Sequence, residues 1–243
     1  MKKIIEIIFL IIFISLFSFS IYKICINLKD KTVEEKEIKN ILEEVIINKE
    51  IINNIDESEE KNEIDLELDF GKLNSINNET VGWIKIKNTN INYPIVQTNN
   101  NEYYLNHSFD KSNNIYGWIF MNHASKSDFS DQNTIIFGHD THSKYMFSDL
   151  KKLYDGLLGN NIGITIYTES NTYHYSVFSI FLTDENSDQY LSNYLSLNDI
   201  KEAINKSKYN FNIDVDNKDT ILTLSTCYNT SKNKVILLAV QNK

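Results

Sequence analysis

Arginine is absent from this chain: all 24 basic residues are lysine. Any fixed positive charge must therefore come from an ammonium, and no step can use a planar, two-pronged guanidinium. Proline occurs once, at Pro94, and glycine seven times. That scarcity excludes collagen-like and Pro/Gly-rich disordered compositions. Cysteine occurs only at Cys25 and Cys227, far apart in the chain. Cys25 lies in or beside an apolar segment, so a disulfide framework is not expected. The five histidines are His107, His123, His139, His142 and His174. None pairs with a cysteine at zinc-ligand spacing, and neither a metal nor another cofactor is expected. No basic patch marks a nucleic-acid partner.

The net charge of −9 is unevenly placed. Between Lys29 and Asp69 stand fifteen acidic residues against six lysines, which leaves the remainder close to neutral. Before that stretch, Met1-Lys2-Lys3 opens an apolar run from Ile4 to Tyr22 broken only by Glu6 and a few serines. The run matches the ~20 residues that span a bilayer as a helix. A cleaved signal peptide is the competing reading. No small-x-small cleavage pattern follows, because Ile24 to Leu28 come next, so the sequence favours an uncleaved signal-anchor. Lys2 and Lys3 favour a cytoplasmic N-terminus, a bias weakened by Lys23, Lys29 and Lys31 on the far side.

Residues 29–65 read as an acidic helical stalk and linker. Ile38, Ile41, Val45, Ile52 and Ile55 recur at three- and four-residue intervals, with Leu42 and Ile46 beside them. With fewer than four clean heptads and Asn48 at a seam position, an amphipathic or free-standing helix fits better than a coiled coil. The run from Asp56 to Lys61 reads as its end and a linker.

From residue 66 to 243 the texture is that of one domain built from short strands. Expected strands are Val81–Ile86, Ile91–Gln97 with Pro94 at an edge or bulge, Tyr116–Met121, Thr134–Phe137, Gly163–Thr168, Thr172–Leu182, Thr220–Thr226 and Lys234–Val240. Helices are expected near Phe147–Tyr154 and over Leu197–Ser207, with a helical turn within Asn99–Leu105. Many strands and few helices predict a β-rich (α+β) barrel or sandwich.

Cys227 ends the β-branched stretch Thr223-Leu224-Ser225-Thr226-Cys227. A lone thiol at a strand end is a candidate nucleophile, although free cysteine is also among the most buried residue types. A thiol titrates near ~8.5, so a nucleophile needs a nearby imidazolium. His139 is the first candidate, because it follows Gly138 at the end of an apolar strand, where a loop displays a side chain in a fixed place. His123 and His142 are held in reserve.

These two motifs, Thr223–Cys227 and Phe137-Gly138-His139-Asp140, resemble those of the sortases, the cell-surface cysteine transpeptidases of Gram-positive bacteria. Val81-Gly82-Trp83-Ile84, Tyr93-Pro94-Ile95-Val96-Gln97, Asn101-Glu102-Tyr103-Tyr104-Leu105 and Met146-Phe147-Ser148-Asp149-Leu150 are similar to the class B branch, in the same order. The resemblance implies a closed eight-stranded β-barrel with flanking helices, held at the cell membrane by a single N-terminal span with the catalytic domain outside. It implies a cysteine transpeptidase with a thiol-endopeptidase half-reaction. Cys227 would attack the Thr carbonyl of an Asn-Pro-x-Thr-like signal in a secreted protein and form a thioester. An amine of peptidoglycan or a pilin lysine would then resolve it, with His139 as general acid and base. Asn101, Leu105, Tyr190, Leu191 and Ser225 match groove-lining positions, or else serve packing and surface roles. A papain-like hydrolase is disfavoured, because its cysteine precedes its histidine.

The pattern departs at the family's arginine on the strand after the cysteine. Alignment on Val235-Ile236-Leu237-Leu238-Ala239 puts Lys234 at that position, with Lys232 as the alternative of the same strand parity. Lysine keeps the charge and loses the fork, so the expectation is an active but slower enzyme. The competing reading is a degenerate, non-catalytic peptide-binding module.

Overall fold

The computed structural model describes residues 2–47, 65–140, 145–157, 162–184, 186–228 and 232–243. Two compact units divide the chain, Met1–Ile46 and Ile47–Lys243. The first consists of one helix, α1 (Lys2–Val45), which runs without a break through the apolar segment and into the acidic stretch. No glycine or proline falls within it, so nothing interrupts its N–H to C=O ladder. Its stretch Ile5–Tyr22, with mean hydropathy 2.4, is long and apolar enough to cross a membrane. Ile52, Ile55 and the expected linker from Asp56 to Lys61 lie outside the described residues.

The second unit is a closed barrel of eight strands. They are β1 (Thr80–Ile86), β2 (Asn92–Val96), β3 (Phe120–Met121), β4 (Asn133–Phe137), β5 (Gly163–Tyr167), β6 (Thr172–Asp184), β7 (Ile221–Tyr228) and β8 (Asn233–Gln241). Around the barrel the order is β1-β2-β3-β4-β7-β8-β6-β5, closed by the antiparallel β1–β5 pair. Two neighbouring pairs are parallel, β2–β3 and β4–β7. Ile136, Leu222, Leu224, Leu237 and Ala239 are fully buried and, paired across β4, β7 and β8, share the interior face. The period-2 alternation that marked these segments as strands is what turns such residues inward.

Three local features depart from the expected elements. The strand expected over Tyr116–Met121 pairs only at Phe120 and Met121. Gly117 sits at φ +60, and the Tyr116 N–H is taken by Asn114 Oδ1, so a turn occupies the front of that segment. Helix α2 (Phe70–Ile76) had no expected counterpart. It is short and contains Gly71, and its clearest local signal is Asp69, whose carboxylate caps it by accepting the Lys72 N–H at 2.9 Å. Pro94 stands in a closed barrel rather than at an open edge. It is tolerated because β2 meets β3 only through Val96, which leaves no long ladder on that side for a missing N–H to break.

The remaining helices are α3 (Ser148–Asp155) and α4 (Leu197–Lys206). A 3-10 turn at Tyr103–Leu105 is seeded by Asn100 Oδ1, which accepts the N–H groups of Glu102 and Tyr103 at 2.8 and 2.9 Å. Helix α4 starts with a reciprocal capping box between Ser196 and Asp199 and buries Ile200 and Ala203 against the barrel.

Candidate active site

The parallel β4–β7 pair brings two C-terminal strand ends together. Phe137 is opposite Ser225, and the Gly138 N–H donates to the Ser225 carbonyl at 3.2 Å. His139, the next residue, is therefore held beside the end of β7. Strand β8 returns antiparallel, with Cys227 opposite Lys234 and Tyr228 opposite Asn233. A residue after β4, the end of β7 and the start of β8 thus converge on one rim of the barrel.

A cavity of about 310 Å³ opens at this rim. Phe120 and Phe137, with ring centroids 5.3 Å apart, line it together with Asn101, Leu105, Gly138, His139, Ser225, Thr226 and Lys234. His139 is the only histidine among the described residues that lines it. His123 is exposed and contributes its backbone N–H to Asn101 Oδ1 at 2.8 Å, and His142 lies outside the described residues.

The His139 imidazole is oriented by one bond. Its Nε2 lies 2.9 Å from the Leu105 carbonyl. A carbonyl only accepts, so Nε2 carries a hydrogen and the neutral ring keeps its free lone pair on Nδ1. Burial holds the imidazole below its ordinary range, opposed in part by the same carbonyl, which favours the charged ring. The neutral form is thus the resting form at neutral pH.

That shift has a defined sign. In the unfolded chain His139 takes up its proton near pH ~6.5, while the folded protein resists protonation until lower pH. Between the two values the unfolded state binds more protons, so this residue's contribution favours folding above pH ~6.5 and is lost as pH falls through the folded value. NMR titration of His139 in the Cys227→Ala protein, free of coupling to the thiol, is expected to give a midpoint below ~6.5. A midpoint at or above it would contradict the burial argument.

Two glycines permit close packing here, Gly138 against Phe147 and Gly117 against the His139 ring. A Cβ on Gly138 would meet the Phe147 ring at 2.7 Å, and Phe147 is fully buried. Gly117 is more constrained, since a Cβ there would collide with the Tyr104 carbonyl, come within 2.8 Å of the Leu105 carbonyl and within 2.9 Å of His139 Cδ2. Its φ of +60 is itself costly for any residue with a Cβ. Gly117→Ala is expected to destabilise the domain by about 2–4 kcal/mol, from left-handed strain plus overpacking. Thermal melts would show this, and a melting temperature within 1 °C of the parent, roughly a few tenths of a kcal/mol, would count against it.

Lys234 is four-fifths buried along the cavity, and its Nζ lies 3.5 Å from Asp188 Oδ1 on the β6–α4 connection. Lys232 is exposed in the turn before β8 and does not line the cavity. Asn101 is fixed at both ends of its amide, donating to Asn122 Oδ1 at 3.2 Å and accepting from His123 N. Leu105 is exposed to the cavity, whereas Ser225 is buried at its wall.

Tyr190 and Leu191 lie elsewhere. Neither lines this cavity. Tyr190 is fully buried in the core cluster beneath α4, edge-on to Phe181 at 4.9 Å, with its hydroxyl 3.4 Å from Lys206 Nζ. Leu191 packs against the same cluster. An aromatic ring this large gains more by filling the space under an amphipathic helix than by standing in an open groove. Phe120, Phe137 and Thr226 are cavity residues that the sequence reading did not single out. Phe137 was in plain view beside Gly138-His139, while Phe120 becomes visible only through its pairing with Phe137 in β3–β4.

A family model described as a sortase domain matches residues 84–242. A sortase B from Listeria monocytogenes is 32% identical over 160 residues, a match that spans 64% of this chain and 65% of the length of that protein. Among solved structures, a sortase B from B. anthracis superposes with a TM-score of 0.68 at 28% identity, covering 89% of this chain and 100% of that one. A Staphylococcus aureus sortase B–substrate complex gives a TM-score of 0.62 at 30% identity, covering 72% and 84%. With the domain model covering most of the barrel unit and these relatives beside it, the chain belongs to the sortase family, alongside the sortase B proteins.

Proposed function

We propose that this protein is a membrane-anchored cysteine transpeptidase that cuts a Pro-x-Thr-type sorting signal, Asn-Pro-x-Thr in its simplest form, and passes the product to an amine. The observation that carries this reading is the cavity where β4, β7 and β8 converge, lined by His139 and Lys234 beside the strand end that bears Cys227. Family membership supports the reaction class, and the S. aureus sortase B–substrate complex supports substrate binding by this fold.

In the first half-reaction the Cys227 sulfur attacks the Thr carbonyl, so that a C–S bond forms and the peptide C–N bond breaks. His139 takes the thiol's proton on Nδ1 as the sulfur attacks and gives it to the leaving amine. Because Nε2 is committed to Leu105, Nδ1 is the nitrogen through which His139 passes protons. In the second half-reaction an amine of peptidoglycan or of a pilin lysine attacks the thioester and His139 takes up its proton. A C–N bond forms, the C–S bond breaks, and His139 passes the proton to the departing sulfur, which regenerates the thiol. Lys234 supplies positive charge to the carbonyl oxygen as it becomes an oxyanion. Asn101, Leu105 and Ser225 line the path of the peptide. The apolar segment of α1 holds the enzyme at the cell membrane, with the barrel on the outer side where secreted clients emerge.

The test is incubation of the full chain in detergent with an Asn-Pro-x-Thr-type peptide and a short amine. Peptide cleavage, an aminolysis product and an intact mass increased by the acyl fragment are expected. Binding of the peptide with neither cleavage nor a mass adduct would identify a non-catalytic peptide-binding module instead.

A further inference from the structure

The ammonium of Lys234 lines the cavity and is held from outside it. Among the described residues the charged partner of Lys234 is Asp188, at 3.5 Å. The separation suits an ion pair and is too long for a strong hydrogen bond, so this contact does not consume the donor hydrogens of Nζ. The two ends differ in setting, since the Lys234 side chain is 20% exposed and that of Asp188 81%. The carboxylate therefore stays solvated while the ammonium stays in the cavity.

The backbone that carries Asp188 is held from both sides. Upstream, β6 pairs with β8 through Thr183 opposite Lys234 and Asp184 opposite Asn233, so the connection leaves the barrel beside Lys234 itself. Asp184 Oδ1 accepts from Asn186 N at 2.9 Å, and the Asp184 carbonyl accepts from Ser187 N at 3.0 Å. Downstream, the Asp188 carbonyl accepts from Leu191 N at 2.9 Å. Gln189 Nε2 reaches α4 through Asp199 Oδ1 and Glu202 Oε2, at 3.2 and 2.9 Å. Tyr190 is the buried peg that fixes the next position. A surface carboxylate is thus presented from an anchored turn.

We infer that Asp188 is a positioning residue for Lys234, a counter-charge that keeps the ammonium at the cavity while leaving its hydrogen-bond donors for the substrate. An arginine at this point on β8 would be oriented by its own planar fork. A lysine on a flexible four-carbon stem has no such built-in orientation, and an outside charge supplies it. The inference rests on the transpeptidase reading for its kinetic arm, while the contact itself can be tested without activity.

In the full-length protein, Asp188→Asn is expected to lower kcat by about two- to five-fold, the range for an exposed ion pair, with little change in KM for the peptide. Asp188→Glu should restore most of the loss. Raising the salt concentration should bring the parent down to the level of Asp188→Asn, because exposed pairs are screened. In a Lys234→Ala background Asp188→Asn should have no effect. The contact is read separately by lysine side-chain NMR, where the Lys234 ammonium signal should move on Asp188→Asn. An unmoved signal overturns the inference whatever the activity. So does an unchanged or raised kcat in Asp188→Asn, or an equal loss in the Lys234→Ala background. A parent without activity whose Lys234 signal still moves would instead count against the transpeptidase reading and leave the contact standing.

Discussion

Cys227→Ala is expected to lower peptide cleavage by roughly 10⁴-fold or more and to abolish the acyl-enzyme mass, with peptide binding retained. The size follows from the chemistry, since without a sulfur there is no thioester and the reaction cannot be divided into two easier steps. His139→Ala is expected to give a loss of similar order, and the double variant hardly more than either single one, because the two residues act as a unit. His139 rests neutral, held there by burial, and an isolated thiol titrates near ~8.5. The reactive thiolate–imidazolium form is therefore a minority of the enzyme at neutral pH, which predicts a modest rate and a bell-shaped pH profile whose acid limb lies below the ordinary histidine range. Parent-like cleavage by Cys227→Ala would defeat the transpeptidase reading outright. Cleavage lost in Cys227→Ala but kept in His139→Ala would move the acid–base role elsewhere.

The proposed nucleophile and its proposed histidine partner were legible because each lies at the end of a strand with a strong local pattern. Thr134–Phe137 and Thr220–Thr226 are apolar and β-branched, and such runs identify strands without knowledge of their neighbours. That β4 and β7 lie side by side and parallel was not legible, since no local signal encodes a pairing across so much intervening chain. The same limit applies to the expected groove residues. Leu105 and Tyr190 are both apolar positions in loops, yet one is open to the cavity and the other is under α4. Which is which depends on where the amphipathic face of α4 packs. The shortness of β3 follows from Gly117, whose positive φ and proximity to His139 are invisible in a list of residues. Asp188 was unreadable for another reason: it is one of 33 acidic residues, and only the register of β6 on β8 brings it to Lys234.

Lys234→Ala is expected to reduce kcat/KM by roughly 10²–10³-fold, the cost of losing one well-placed donor to a developing oxyanion. Its effect should fall mainly on kcat, because the charge it answers appears in the transition state rather than in the bound peptide. Lys232→Ala is the internal control, expected to be neutral since that residue is exposed outside β8. Lys234→Arg is expected to raise the rate above the parent. A guanidinium can keep one edge toward Asp188 and turn the other to the carbonyl, whereas an ammonium divides a single charged point between them. Full activity in Lys234→Ala would remove Lys234 from the mechanism and leave its buried position along the cavity as packing alone. Loss in Lys234→Ala with no gain in Lys234→Arg would mean that the cavity of about 310 Å³ has closed around the shorter reach of a lysine. The missing arginine would then be a settled adaptation of this rim, with its charge placed by a partner on another strand's connection instead of by the geometry of its own head group.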